Sequence, residues 1–168
     1  MGRFVNPDNS AFQVALNSRI YVDKTGLLEY TNTVLDTMDA YICNSRPRRF
    51  GKSYTANMLT AYYSKGADSE KMFSGLEISK AADFRKHLNK YDLIHIDVQW
   101  FLANCAKADD VVAFITESIL DELRTIYPCV LPSEERVLST GIARNDRISS
   151  GIPVPDQCGN REEIYCDH

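Results

Sequence analysis

No stretch of this 168-residue chain is long and apolar enough to span a bilayer as a helix, so no membrane partner is expected. The opening residues Met1-Gly2-Arg3-Phe4-Val5-Asn6 lack a signal-peptide core, and Asn6 does not fit the myristoylation pattern. Cysteines are few and unmatched: five of them, at irregular spacing (43, 105, 129, 158 and 166), form no disulfide framework. Without an export signal they read as reduced thiols of a cytoplasmic protein. Histidine is scarce too, and Cys158, Cys166 and His168 match no common zinc spacing and lack a fourth ligand. An excess of basic residues is also missing, since the net charge of −4 argues against a protein that coats nucleic acid. What remains is an ordinary globular composition, 44% hydrophobic and 25% charged, in a chain long enough to bury a core without disulfides.

Against that background one run carries chemistry: Ser45-Arg46-Pro47-Arg48-Arg49-Phe50-Gly51-Lys52-Ser53-Tyr54. It ends in Gly-Lys-Ser, the part of a P-loop that holds nucleotide phosphates, with the apolar Ala40-Tyr41-Ile42-Cys43 before it and a helical pattern after it. In a strand–loop–helix setting the loop amides point at the β-phosphate and the helix N-terminus adds positive potential. Lys52 then bridges the β- and γ-phosphates, and the Ser53 hydroxyl holds Mg²⁺. The first glycine of the usual G-x-x-x-x-G-K-[ST] pattern is absent, because position 46 is arginine. Either the loop turns differently, with Pro47 fixing its φ, or nucleotide affinity has been lost. Arg46, Arg48 and Arg49 add donors suited to phosphate oxygens. The competing reading is a solvated basic patch followed by an accidental Gly-Lys-Ser.

Tyr21-Val22-Asp23-Lys24-Thr25, followed by the apolar run and by Arg46-Pro47-Arg48-Arg49-Phe50-Gly51-Lys52-Ser53, resembles the predicted AAA-like ATPases of bacteria and archaea. Met72-Phe73-Ser74-Gly75-Leu76-Glu77-Ile78 and Leu93-Ile94-His95-Ile96-Asp97 extend the resemblance, which runs from about residue 11 to about residue 140. It implies that arginine at 46 is the family's own form, that residues 46–54 bind ATP, and that Mg²⁺ is a cofactor. Members commonly carry a PD-(D/E)XK nuclease-like domain after the ATPase, and the resemblance implies a nucleic-acid partner only through such a domain. AAA-type proteins often assemble as rings, which implies a homo-oligomer. No finger arginine can be assigned, and Arg124, Arg136 and Arg144 read as helix-surface charges.

The rest of the chain alternates short apolar runs with helical patterns. Ile20-Tyr21-Val22 reads as extended, and Asp23 as the N-cap of a helix from Lys24 to about Asn32 rather than a catalytic acid. Lys24 and Thr25 are candidates for the neighbourhood of a base or ribose. Residues 40–44 form the strand before the loop. A helix from about Ser53 to Ser64 places Met58, Leu59, Tyr62 and Tyr63 on one apolar face, with Gly66 suited to close it. The two tyrosines read as core rather than as a base-stacking platform. A short helix over Asp83–Asn89 and a buried strand over Leu93–Val98 follow. Asp109 or Asp110 then caps a helix through Tyr127, with Val112, Ile115, Ile119, Leu123 and Ile126 on its inner face and Pro128 ending it. The expected class is α/β: a P-loop NTPase-like parallel sheet flanked by helices, and incomplete.

Asp97 ends an apolar run, as the Mg²⁺-holding acid of a P-loop NTPase does, and His95 reads as a packed or half-exposed histidine. The resemblance implies otherwise for Asp97, since the family's metal-binding acids lie later, on an apolar strand ending in Asp-Glu. No such strand follows Leu138, where Gly141, Gly151, Gly159, Pro153 and Pro155 interrupt a poorly apolar sequence. The expected organisation is residues 11–138 as the N-terminal part of an AAA-like ATPase domain, with residues 139–168 an atypical, non-homologous and disordered tail. Three functional classes stay open: a module that binds Mg·ATP through Lys52 and Ser53 with hydrolysis slow or absent, a non-enzymatic anion- or nucleic-acid-binding module using Arg46–Arg49, and an inactive remnant.

Overall fold

The computed structural model describes residues 2–45, 47 and 49–128. Arg46, Arg48, Arg136, Arg144, Cys158, Cys166, His168 and the whole stretch expected to be atypical lie outside the described residues. Among the described residues seven α-helices follow one another: α1 (Ser10–Leu16), α2 (Gly26–Val34), α3 (Lys52–Tyr63), α4 (Glu70–Phe73), α5 (Phe84–His87), α6 (Val98–Asn104) and α7 (Val111–Ile126). No described helix is long and apolar enough to cross a membrane.

Helix α3 organises the larger core. Met58, Ala61, Tyr62 and Tyr63 are buried against Phe12 and Ala15 of α1, Leu28 of α2, Phe73 of α4 and Phe84 of α5, as the apolar face of the sequence requires. The tyrosine hydroxyls are satisfied inside this core: Tyr62 receives Asn32 Nδ2 at 3.1 Å and donates to the Phe84 carbonyl at 2.8 Å, while Tyr63 donates to Asn32 Oδ1 at 2.7 Å. Both are core residues rather than a stacking platform.

The far end of α3 is closed by a residue distant in sequence. Asn89, at φ 54°, donates through Nδ2 to the carbonyls of Ala61 (3.0 Å) and Ser64 (2.8 Å), and its own N–H reaches Tyr62 O at 2.7 Å. Orphan carbonyls at a helix C-terminus need such donors. Gly66, expected in that role, serves another: a Cβ there would stand 2.1 Å from Asn6 O, so only glycine lets the two backbones approach.

A smaller cluster joins Phe4, Phe101 of α6 and Val111 of α7, with Trp100, Phe114, Ile115 and Ile119 packed around it. The expected inner face of α7 holds at Ile115, Ile119, Leu123 and Ile126, all half-buried, and fails only at its first residue. Val112 points outward at 73% exposed, because Val111 takes the inward position at the first turn. Asp110 occupies the N-cap position of α7, but its side chain makes no cap hydrogen bond. Glu122 on the same helix accepts from the backbone N–H groups of Arg3, Phe4 and Val5, each at 2.8 Å, and so ties the N-terminal segment down.

Among the described residues no sheet forms. Residues 40–44 carry no ladder, and Tyr41 is 92% exposed. Leu93–Val98 is not the buried strand expected: one antiparallel bridge joins Val5 to Ile94, and Ile94 and Ile96 face solvent. A strand is held by the ladder beside it, and no described neighbour supplies one here beyond that bridge.

Two aspartates lock segments together, and acid should release them. Burial alone would raise the Asp92 carboxyl, but hydrogen bonds from Lys65, Tyr127 and Asn6, with the Lys65 charge, hold it below the ordinary aspartate value. Asp23 is held low in the same manner: burial opposes the shift, while the N–H groups of Thr25 and Glu77, the Thr25 hydroxyl and the Lys80 charge prevail. Both groups bind protons more weakly folded than unfolded. Their stabilisation is thus complete above the ordinary aspartate pKa of about 4 and is lost as pH falls through the lower folded values. The urea midpoint is expected to drop below about pH 4, and less so in Asp23→Asn,Asp92→Asn; equal acid sensitivity in both chains would contradict this.

Candidate functional site

The Gly-Lys-Ser run lies where the sequence places it, at the start of α3. Two left-handed residues, Arg49 at φ 67° and Gly51 at φ 79°, turn the chain into the helix, and the Phe50 N–H closes a turn onto Pro47 O at 3.4 Å. Gly51 is the N-cap, and the Thr55 N–H makes a helical bond back to its carbonyl at 3.0 Å. The first amides of a helix lack intrahelical acceptors, and together with the helix dipole they make an anion-binding terminus. Lys52, Ser53 and Tyr54 are all exposed there. The loop thus reaches the helix without a glycine at 46, through a left-handed arginine at 49.

Gly51 has a second constraint. A Cβ on it would lie 3.2 Å from Lys24 Nζ, so the ammonium of Lys24 sits directly against the loop. Lys24 is held there by its neighbours. The Asp23 carboxylate accepts from the Thr25 N–H at 2.8 Å, the Thr25 hydroxyl at 2.7 Å and the Glu77 N–H at 2.8 Å, and the buried Thr25 hydroxyl also receives the Ile78 N–H at 3.1 Å. Asp23 therefore clamps a local turn and a distant segment, and α2 begins at Gly26 with Thr25 as N-cap, two residues later than the sequence suggests. Thr25 is fully buried and structural, while Lys24 is exposed at the site.

Gly51→Ala would force a side chain into a left-handed position, at a cost of roughly 1–2 kcal/mol, and press a methyl against Lys24. Urea unfolding should show that loss, with anion binding at the loop weakened as well; an unchanged midpoint would mean that the loop tolerates other turns.

Beside the loop opens a cleft of about 380 Å³ between α1, residues 18–24 and the start of α3. Tyr21 forms part of its wall, edge-on to Phe12 at 6.2 Å, and burial together with the Asp23 charge pushes its phenol up to about 12. It is thus a neutral hydroxyl at ordinary pH. Sequence reasoning raised Lys24 but missed Phe12, Ile20 and Val22 as walls. The one available signal was a pair of apolar residues flanking Tyr21 in a segment with no regular period.

Asp97 is elsewhere. It lines a different cleft, with Arg3, Thr60 and His95, and its carboxylate caps α6 by accepting from Gln99 N–H at 3.0 Å and Trp100 N–H at 3.3 Å. Helix capping accounts for an aspartate at this position. His95 is half-buried, its Nδ1 paired with the Thr60 hydroxyl at 2.7 Å. Arg124 reaches Asp121 one turn away on α7 at 3.4 Å, as a helix-surface charge does. Cys43, next to the loop, is an exposed free thiol, and Cys105 is a half-buried one.

Compared with protein-family models, the chain matches the one described as "Predicted AAA-ATPase" over residues 10–144. No curated protein and no solved structure matches it.

Proposed function

The chain belongs to the predicted AAA-ATPase family, and from that premise we propose that it binds Mg·ATP at the N-terminus of α3. The observation that carries the proposal is the coincidence of Gly51, Lys52 and Ser53 with a left-handed loop entering an exposed helix N-terminus, with Lys24 against it. The helix amides and Lys52 receive the phosphates, with Arg49 and Lys24 adding charge. Arg46 and Arg48 belong to the same loop by sequence.

The donor set fits a magnesium ion only in part. Ser53 stands exposed at the second position of α3, where its hydroxyl can meet a phosphate-bound ion, but Asp97 is engaged as a helix cap in another cleft. Mg²⁺, when bound with the nucleotide, neutralises phosphate charge. Hydrolysis also needs an acid for the ion, a residue orienting water and usually an arginine finger. None is assigned among the described residues, so turnover is expected to be slow or absent. A parallel, helix-flanked sheet beside the loop is part of the same proposal, although residues 40–44 and 93–97 pair in no ladder here. Their exposed Tyr41, Ile42, Ile94 and Ile96 are side chains that such a sheet would cover. Ring assembly, coupling to a nuclease-like domain and a cytoplasmic location complete the proposal.

Calorimetric titration with ATP, with and without Mg²⁺, tests it. Saturable binding that requires Mg²⁺ and survives moderate salt supports a nucleotide site. Binding of single-stranded DNA that collapses steeply with salt, in place of ATP binding, would replace it with a phosphate-backbone module.

A further inference from the structure

His95 and Asp97 take no part in the nucleotide site, and both line a second cleft of about 380 Å³. It shares no lining residue with the cleft beside the loop. Arg3 stands in its wall and is fixed twice. Its backbone N–H donates to Glu122 at 2.8 Å, as do those of Phe4 and Val5, and its guanidinium lies 3.7 Å from the ring centroid of Trp100. A guanidinium stacked on an aromatic face keeps its in-plane N–H donors for a ligand. Among the described residues no hydrogen bond or ion pair takes them up.

The same cleft carries negative charge. Asp8 accepts the Ser10 N–H at 3.0 Å and the Ser10 hydroxyl at 2.6 Å, and Asp97 accepts the Gln99 and Trp100 amides, each through Oδ1. The second oxygen of either carboxylate meets no described donor. His95 is likewise half-used, with Nδ1 on the Thr60 hydroxyl and Nε2 engaged by no described residue. A free anion would meet two carboxylates in this cleft and a free cation would meet the arginine, whereas a molecule carrying both charges satisfies each. We infer that the cleft binds a small zwitterion of the α-amino-acid type. Its carboxylate takes the Arg3 guanidinium, its ammonium meets the Asp8 and Asp97 carboxylates, and its side chain rests against Trp100. Charge-assisted hydrogen bonds are the strong ones, and an arginine already held by Trp100 and Glu122 costs little to order. The volume falls within the range of small-molecule sites.

Trp100 is the sole tryptophan of the chain and lies in this wall, so its emission reports on the cleft. Free L-amino acids other than tryptophan and tyrosine, each at about 10 mM, are added to the full chain after its cooperative unfolding has been verified. At least one is expected to shift the emission saturably, and calorimetry then gives its affinity. The amide of that amino acid lacks the carboxylate and its N-acetyl form lacks the ammonium; each should bind at least about tenfold more weakly. Arg3→Gln and Asp8→Asn should weaken the amino acid by a similar factor and leave the urea midpoint unchanged, since both side chains are exposed. A folded chain whose emission no amino acid shifts saturably overturns the assignment. Undiminished binding of the amide or of the N-acetyl form overturns it as well, and so does undiminished binding in either variant.

Discussion

Lys52→Ala is expected to lower the proposed Mg·ATP affinity about a hundredfold and to leave the unfolding midpoint where it was. The magnitude follows from losing a charge-assisted contact to phosphate, worth roughly 1.5–3 kcal/mol and more where two oxygens are bridged. The fold should survive because Lys52 is exposed at the first position of α3 and contributes nothing to either apolar cluster. Alanine is also the best helix former. The same variant separates nucleotide binding from general anion binding. Arg49 and Lys24 remain, so a surface that merely attracts phosphate would lose little and would keep its steep salt dependence. Isothermal calorimetry beside urea unfolding reads both quantities; a fall in affinity of less than about threefold would assign the charge role to the arginines instead.

Phe73→Ala should do the opposite, removing stability and taking binding with it. Phe73 is fully buried, stacked on Phe12 at 5.1 Å and edge-on to Tyr62 at 5.4 Å. It therefore links α4 to α1, which forms one wall of the cleft, and to α3, which carries the loop. Truncating a buried phenylalanine costs about 3–5 kcal/mol through lost transfer energy and the cavity left behind. For a domain whose whole stability is about 5–15 kcal/mol, that is a large share. The urea midpoint should fall sharply, and any ATP binding should vanish under conditions where the variant is unfolded. A loss below about 1 kcal/mol would mean that the site can collapse around the missing ring, and that this aromatic contact does not hold α1 to α3.

What was legible in the sequence was local. The apolar spacing of Met58, Tyr62 and Tyr63 announced α3 and its inward face, and Gly-Lys-Ser announced the helix start, because both are set by residues within a turn or two. Asp97 was also readable from its neighbourhood: an aspartate followed by helix-forming residues is a cap, and strand-end logic gave it another role. The features that were not legible depend on segments distant in the chain. Asn89 closing α3, Asp23 reaching Glu77, and Gly66 admitting the Asn6 backbone are long-range contacts that no local period encodes. The cleft belongs with these. Its walls come from α1, residues 18–24 and residues 49–58, and only the fold shows that Lys24 stands against Gly51. Val112 was assigned to the inner face of α7 because a helical period fixes spacing but not its starting residue to better than one position.

The start of α3 is proposed as a nucleotide site, and calorimetric titration of the chain with Mg·ATP, after its cooperative unfolding has been verified, is the decisive test. The account predicts one saturable site per chain, dependent on Mg²⁺ and lost in Lys52→Ala. A chain that unfolds cooperatively yet shows no binding heat at millimolar-range ATP, about 1 mM or above, at two temperatures would contradict it.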